Sequence, residues 1–443
     1  MLEGAVACQR RGDLDGAIER YAKALALDSQ LHAAWGNMGV ALRSQGHAPA
    51  ALACQLRALA LHPNDPGTLS NLGNALRDCG RLAEAEAVLR KAVEIKPEAA
   101  EYWNNLGLVW RDANHPKECL SALDKALSIR PDYPEAAWDR ALTLMMLNDY
   151  KNGFPAYESR WRLEKSPPRT YPYPRWQGEP LAGKVLFLHD EQGFGDALQF
   201  ARFVSLLAAQ GARIVMECQP ELARLFKALP GVARVVPRGT HIERADYWAP
   251  LLSLPGILGL GTDDLMPATP YLKAVSEPKA RLIGQDRFKV GLVWAGKMTP
   301  RDRSIELERL LPLAADPKVL LVSLQIGPRK DDIEKLHARP LIADLSPAIQ
   351  DFADTAALLA QLDLLVTIDT ATAHLAGAMG IPTFLMLLYY SDWRWGPESE
   401  TSPWYASLRL FRQTRYGDWQ APLEALQKSF YERLNSIAHG ARN

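Results

Sequence analysis

A period of 34 residues constrains what this chain can fold into more than any other feature. Trp35, Leu69, Trp103 and Ala137 are spaced by it, as are Gly39, Gly73, Gly107 and Ala141, and Pro63, Pro97 and Pro131. That is the length of one helix-turn-helix unit, and a unit of that size cannot bury its apolar face alone. Copies must therefore stack, each packing on its neighbours, into a solenoid. The units begin at Met1, Trp35, Leu69 and Trp103, with a degenerate fifth from Ala137.

Several columns of the repeat agree at once. Small residues recur where two helices must approach closely, at Ala17, Ala51, Ala85 and Cys119 and again at Ala24, Ala58, Ala92 and Ala126. Gly12, Gly46, Gly80, Asn114 and Asn148 recur between the helices of a unit, as residues tolerant of a left-handed backbone should. With W-x-N-L-G at Trp103 to Gly107 and EAEAVLRKAVEIKP at Glu84 to Pro97, this part of the chain resembles the tetratricopeptide-repeat family. In such arrays the first helix of each unit lines the concave face. Asn37, Asn71 and Asn105, with Asp139 next in the series, then read as a ladder of side-chain amides that can donate to and accept from an extended peptide. The plainer reading is that Asn merely fills a consensus position. Phe154, Tyr157 and Trp161 recur at helical spacing where the repeats end, which predicts a capping helix docked by its aromatic face. Ser166 to Pro180 then carries five prolines in fifteen residues and predicts an irregular linker.

From Lys184 the pattern changes to apolar runs of strand length alternating with helical stretches. Candidate strands are Lys184 to His189, Arg213 to Cys218, Lys289 to Trp294, Val319 to Gln325, Leu364 to Asp369 and Thr383 to Leu388. Near-continuous apolar strands separated by helices imply parallel sheets covered on both faces. A break near Ser276 to Arg287 divides the region into two Rossmann-like lobes whose strand ends share a cleft. The expected organisation is a solenoid with its capping helix over 1–165, a linker over 166–182, an N-terminal lobe over 183–283 and a C-terminal lobe over 284–443.

Four patterns bear on the chemistry. Gly193-Phe194-Gly195-Asp196 opens a helix after a strand, but Leu198 stands where a dinucleotide fingerprint needs its third glycine. Gly291 to Lys297 imitates a P-loop, but Met298 replaces the hydroxyl that would meet magnesium. Lys297 still sits just past a strand end, where a fixed cation could meet a phosphate. In Asp369 to Thr383, a strand hands over to a helix that begins among Thr370, Ala371 and Thr372, with His374 in its first turn, a ready anion site. Thr370 as a helix cap is the plainer reading. Tyr389 to Trp419 is dense in aromatics, which suits packing of a long loop better than stacking on a base or sugar.

Composition removes other classes. Lys+Arg and Asp+Glu number 51 each, so no global field would gather nucleic acid or anionic membrane. The five cysteines are scattered and never in a C-x-x-C pair, which fits reduced thiols in a cytoplasmic setting rather than disulfides or zinc. No apolar run is long enough to span a bilayer.

Taken together, Leu188 to Arg202, Gly291 to Ile305, Val322 to Pro328 and Asp369 to Thr383 resemble the GT-B glycosyltransferases of the bacterial heptosyltransferase type. More closely still, the chain resembles proteins that join tetratricopeptide repeats to such a domain. Some members of that group glycosylate proteins, flagellins among them. The resemblance implies a metal-independent, inverting transfer from a nucleotide-sugar donor to a protein acceptor held by Asn37, Asn71 and Asn105, with no cofactor. It places Asp196 as general base, with His189 as substitute and Glu191 beside it in the cleft. Lys297 and the helix start Asp369, Thr370, Ala371, Thr372 and His374 would hold the donor phosphates, with Arg303 adding charge and Ser323 and Gln325 contacting the nucleotide. The alternatives are a catalytically inactive repeat scaffold and a transferase acting on a glycan or lipid.

Overall fold

A computed structural model describes residues 1–440 apart from 165, 241, 243, 266–269, 283–285 and 299–301, with side chains described as far as 436. The chain forms two compact units. One comprises Met1–Leu147 with Ser159–Pro167, the other Asn148–Glu158 with Pro168–Asn443.

The first unit is a helical solenoid. Helices α1 (Leu2–Arg10) and α2 (Leu14–Leu27), α3 (His32–Ser44) and α4 (Ala48–Leu61), α5 (Pro66–Asp78) and α6 (Leu82–Ile95), and α7 (Ala100–Asp112) and α8 (Pro116–Ile129) are the four full hairpins, and α9 (Pro134–Met146) opens a fifth. The turn column adopts the left-handed backbone that its residues favour, with φ of 81° at Gly12, 83° at Gly46, 74° at Gly80, 60° at Asn114 and 61° at Asn148. The small-residue columns mark the closest packing. A Cβ on Gly73 would lie 2.4 Å from Leu89 Cγ, and one on Gly39 would lie 2.5 Å from Gln55 Nε2. Two repeated polar contacts tie unit to unit. Trp35 and Trp103 each donate an indole N–H to the carbonyl six residues earlier, on Ser29 and Pro97, at 2.9 Å. Arg43, Arg77 and Arg111, again 34 apart, each reach forward to the next first helix, Arg43 to Asp78 at 2.6 Å, Arg77 to Asp112 at 3.6 Å and Arg111 to Asp139 at 2.5 Å.

The second unit opens with α10 (Tyr150–Tyr157). The aromatic face expected of a cap is there, and it belongs to the α/β unit rather than to the repeats. Tyr150, Phe154 and Tyr157 are buried, with Tyr150 and Phe154 ring centroids 5.5 and 6.4 Å from Trp404, and Phe154 also 6.4 Å from Phe200. The proline-rich stretch also departs from a free linker. Trp176 is 1% exposed, its N–H donates to Trp248 O at 2.8 Å, and Trp248 N–H donates to Pro174 O at 3.1 Å, so Arg175 adds a parallel bridge to the neighbouring sheet.

That sheet is built from β1 (Val185–His189), then α11 (Phe194–Phe200), α12 (Val204–Ala209), β2 (Arg213–Cys218), α13 (Pro220–Phe226), β3 (Val232–Pro237), β4 (Tyr247–Pro250) and α14 (Leu254–Ile257). It is wholly parallel in the order β3-β2-β1-β4. The second sheet follows from β5 (Phe288–Val293), β6 (Val319–Ser323), α15 (Asp332–Lys335), β7 (Ile342–Asp344), α16 (Phe352–Leu359), β8 (Leu364–Ile368), α17 (Ala371–Met379), β9 (Thr383–Leu387), β10 (Leu408–Arg412) and α18 (Gln420–Gly440). Its order, β10-β9-β8-β5-β6-β7, is also all parallel and reverses between β5 and β8. These are two Rossmann-like lobes, and the expected division at 283/284 falls outside the described residues. Strands buried on both faces need continuous apolar runs, and β5, β6, β8 and β9 supply them.

Candidate functional site

Ligands of open parallel sheets bind beyond the carboxyl ends of the strands, where the order reverses. In the C-terminal lobe that point lies between β5 and β8. Gly296 and Lys297 follow β5 and are exposed, and Thr370, Ala371 and Thr372, which follow β8, are part exposed. Thr370 occupies the N-cap position of α17, yet among the described residues its side chain caps no helix N–H. The first N–H groups of a helix have no partner within it, so α17 presents an uncapped positive end beside small side chains. Arg303 Nη1 lies 2.9 Å from Asp369 Oδ2, and Asp369 is buried. Arg303 is therefore neutralised by the strand end it was expected to reinforce.

Three expected donor contacts are otherwise engaged. Gln325 is 3% exposed, accepts from the N–H groups of Trp294 (3.0 Å) and Ala295 (2.8 Å), and donates to the carbonyls of Ala295 (3.2 Å) and Ile326 (2.7 Å). Ser323 is fully buried and accepts from Gln325 N–H at 3.2 Å. Gln325 thereby holds the loop after β5 in shape, and Ser323 holds the main chain of Gln325. His374 is the third. Burial first, then the Arg394 charge, lower its pKa from 6.5 to about 3, so it is neutral and brings no charge to a phosphate. Its Nδ1 shares a hydrogen bond with the Tyr405 hydroxyl at 3.0 Å, and its ring stacks on Trp395 with centroids 5.2 Å apart.

In the N-terminal lobe, β1 delivers the chain to a tight loop. Gln192 there has φ 58°, an uncommon conformation for a residue that is not glycine, and its amide exchanges hydrogen bonds with the Tyr157 hydroxyl. Gly193 is the N-cap of α11, and its N–H donates to Asp196 Oδ2 at 2.8 Å. One oxygen of Asp196 is thus spent on the N-cap main chain. The other oxygen, Oδ1, pairs with Nη2 of Arg394, which also donates to Asp392 Oδ1 (2.8 Å) and to Gln199 Oε1. The Asp196 side chain remains 18% exposed. Burial raises its pKa, Arg394 and the Gly193 N–H oppose that rise, and Asp392 and Asp369 add to it. Burial works against the charge of Arg394 too, but Asp392 and Asp196 outweigh it and keep the guanidinium protonated.

His189 does not join this constellation. It is fully buried, 5.3 Å from the Tyr171 ring and 5.7 Å from that of Trp248, with Nδ1 3.0 Å from Asp190 O. His189 is shut off from solvent by these rings. Glu191 is buried as well. Beside them Asp190 and Glu217, both almost wholly buried, are held by Arg238 (2.8 Å), just past β3, and by Arg169 (2.6 Å), which fastens the segment before the lobe onto the end of β2.

The lobes meet where α11 packs on α17. Gly195 lies so close to His374 that a Cβ there would be 2.7 Å from its Cδ2. Asp196 of one lobe and the open start of α17 in the other are thereby brought to one seam. Sequence reasoning missed Arg394, Gln199, Asp392 and Tyr405; the signal available was an arginine between two tryptophans, Trp393-Arg394-Trp395. The aromatic stretch itself is packing, with Trp393, Trp395, Trp404 and Tyr405 all buried. In the solenoid, Asn37, Asn71 and Asn105 are half-buried, and Asn105 Nδ2 donates to Ser70 Oγ at 2.9 Å. Asp139, the fourth member of that column, is consumed by Arg111.

Tetratricopeptide-repeat signatures match residues 3–66, 54–87 and 73–110, so the N-terminal part carries tetratricopeptide repeats, an architecture that suggests protein binding. Protein FlbA of Caulobacter vibrioides is 32% identical over 319 residues, 63% of this chain and 52% of FlbA. The chain thus spans about half the length of that curated relative, and an alignment of that length extends beyond the solenoid. Among solved structures, MamA (TM-score 0.32, 21% identity, 35% of this chain and 91% of MamA) and the tetratricopeptide protein TTC0263 of Thermus thermophilus (TM-score 0.34, 21% identity, 38% of this chain and 91% of that protein) are similar. No functional conclusion attaches to likenesses at that level. Among the described residues no helix is long and apolar enough to cross a membrane.

Proposed function

We propose that this chain is a GT-B-type glycosyltransferase that moves a sugar from a nucleotide-sugar donor to a protein acceptor held by the repeats. In this reading the transfer inverts the sugar, needs no metal, and takes place in the cytoplasm. The observation that carries it is the seam between the lobes, where a part-exposed carboxylate, Asp196, stands across from an uncapped helix start flanked by an exposed lysine. Asp196 takes the proton of the acceptor hydroxyl as its oxygen attacks the anomeric carbon, and the bond to the nucleotide breaks on the opposite face. The departing phosphate charge falls on Lys297 and on the N–H groups at Thr370, Ala371 and Thr372, which are fixed before the reaction and need no reorganisation. Asn37, Asn71 and Asn105 hold the acceptor backbone in register. Flagellin-like proteins fit such an acceptor, as the sequence resemblance implies.

The test is a donor screen by thermal shift and hydrolysis against UDP-, GDP-, dTDP- and CMP-linked sugars, with Asp196→Ala and Lys297→Ala as controls. Asp196→Ala should bind donor and lose transfer. Binding of no donor by the wild-type chain would favour the scaffold reading, and equal donor affinity in Lys297→Ala would remove the phosphate assignment.

A further inference from the structure

We propose that Arg394 is a positioning residue for Asp196, fixing the orientation of its carboxylate across the lobe seam. The inference rests on the transferase reading for its consequence, and on geometry alone for its premise. Two donors from different lobes grip one carboxylate. The Gly193 N–H, at the N-cap of α11, binds Oδ2 at 2.8 Å, and the Arg394 guanidinium binds Oδ1 from the C-terminal lobe. Each carboxylate oxygen can accept twice, so both grips leave a lone pair, and the exposed 18% of the side chain is where an acceptor hydroxyl could use it.

The guanidinium is itself immobile. It is 7% exposed, lies 4.3 Å from the Trp393 ring centroid, and spends Nε on Gln199 and Nη1 on Asp392. Arginine suits this task because its planar fork can hold three acceptors at once. A base in such a seam otherwise faces repulsion. Asp392 and Asp369 act on Asp196 from the C-terminal lobe, with Arg303 paired to Asp369, while His374 beside Gly195 is neutral and Tyr157 of α10 faces Arg394. Arg394 is the cation bonded to Asp196 itself. Its charge opposes the rise that burial and the neighbouring anions impose on the Asp196 pKa, and only the ionised carboxylate can serve as the base.

The test is the pH dependence of turnover by the full chain on whichever of the UDP-, GDP-, dTDP- or CMP-linked sugars the wild type consumes. Arg394→Gln should move the acidic limb of the kcat profile to higher pH by about one unit or more, which is about tenfold in proton affinity, with donor KM within a few-fold of wild type. Arg394→Lys should move it less. Asp392→Asn, which removes a competing anion at a part-exposed position, should move the limb the other way. A uniform fall in kcat at every pH, with the limb unmoved in all three variants, would overturn the proposal and leave Arg394 a packing residue. A second measurement needs no donor. A carboxyl with a raised folded pKa stabilises below its unfolded pKa and loses that contribution as pH rises through the folded value. Arg394→Gln should therefore lose stability more steeply than wild type as pH rises above the ordinary carboxylate range, and adding Asp196→Asn should abolish the extra slope. If no sugar nucleotide is consumed, the transferase reading fails while this slope still decides the pair; equal slopes in the single and double variants would overturn it.

Discussion

Acidification should destabilise the α/β unit through one buried imidazole. His374 is 5% exposed and its pKa is lowered from 6.5 to about 3 by burial and by the Arg394 charge. A depressed folded pKa means that between those two values the unfolded chain binds a proton which the folded chain refuses. The stability associated with the neutral ring is thus intact above about pH 6.5 and lost as pH falls toward about 3. One pH unit within that window is worth about 1.4 kcal/mol, so moving from about pH 7 to about pH 5 should cost about 2 kcal/mol through this group. That is a sizeable share of a typical domain's net stability. The assay is urea unfolding of the full chain at about pH 7, 6 and 5, for wild type and for His374→Gln. Glutamine keeps a hydrogen-bonding partner for Tyr405 and removes the titration. The variant should start less stable, because it gives up the stacking on Trp395, and then lose less as the pH falls. Parallel losses in the two proteins would refute the reasoning and move the acid sensitivity elsewhere.

Two glycines in first helices of the solenoid should respond with opposite signs in thermal denaturation. Gly36→Ala has open space among the described residues and should stabilise by about 0.5–1 kcal/mol, whereas Gly73→Ala meets Leu89, itself fully buried, and should destabilise by about 1–3 kcal/mol. Lys297→Ala should weaken nucleotide-sugar binding about tenfold or more in calorimetric titration, the loss of one charge-assisted contact. Asn71→Ala with Asn105→Ala should weaken capture of a protein acceptor in a pull-down while leaving donor hydrolysis unchanged, and unchanged capture would sink the amide ladder.

What the sequence reveals and what it hides divide along physical lines. The repeats are legible because each constraint recurs. Five left-handed turns call for Gly or Asn at five positions 34 apart, and a close approach such as that of Gly73 to Leu89 recurs as a column of small residues. The central strands are legible because burial on both faces leaves an unbroken apolar run. β3, β4, β7 and β10 are not. β3 is an edge strand with an exposed, charged face, β4 and β7 have four and three residues, and β10 lies within a stretch whose aromatics dominate its composition. The bridge that Arg175 makes with Trp248 is hidden for the same reason, since prolines on either side mask a segment that needs only one pair of ladder bonds.

The site was legible only where local geometry decides it. Asp196 and the start of α17 follow strands and open helices, and those positions can be read from short-range pattern. Whether a polar residue then faces a ligand or serves the fold depends on partners far away in sequence. Gln325 looks like a nucleotide contact until the four main-chain groups it satisfies are known, and His189 looks like a spare base until Tyr171 and Trp248 close over it. Arg394 is the sharpest case. It stands 198 residues from Asp196 in the chain, inside an aromatic run whose burial is its most visible property, yet it makes an ion pair with the proposed base. A long-range pair of this kind leaves no spacing to read. Its only mark in the sequence is a charged residue placed among tryptophans that a packing role alone would not require. A buried charge without a partner is too costly to keep, so Arg394 between Trp393 and Trp395 demands carboxylates, and it finds Asp392 two residues away and Asp196 in the other lobe.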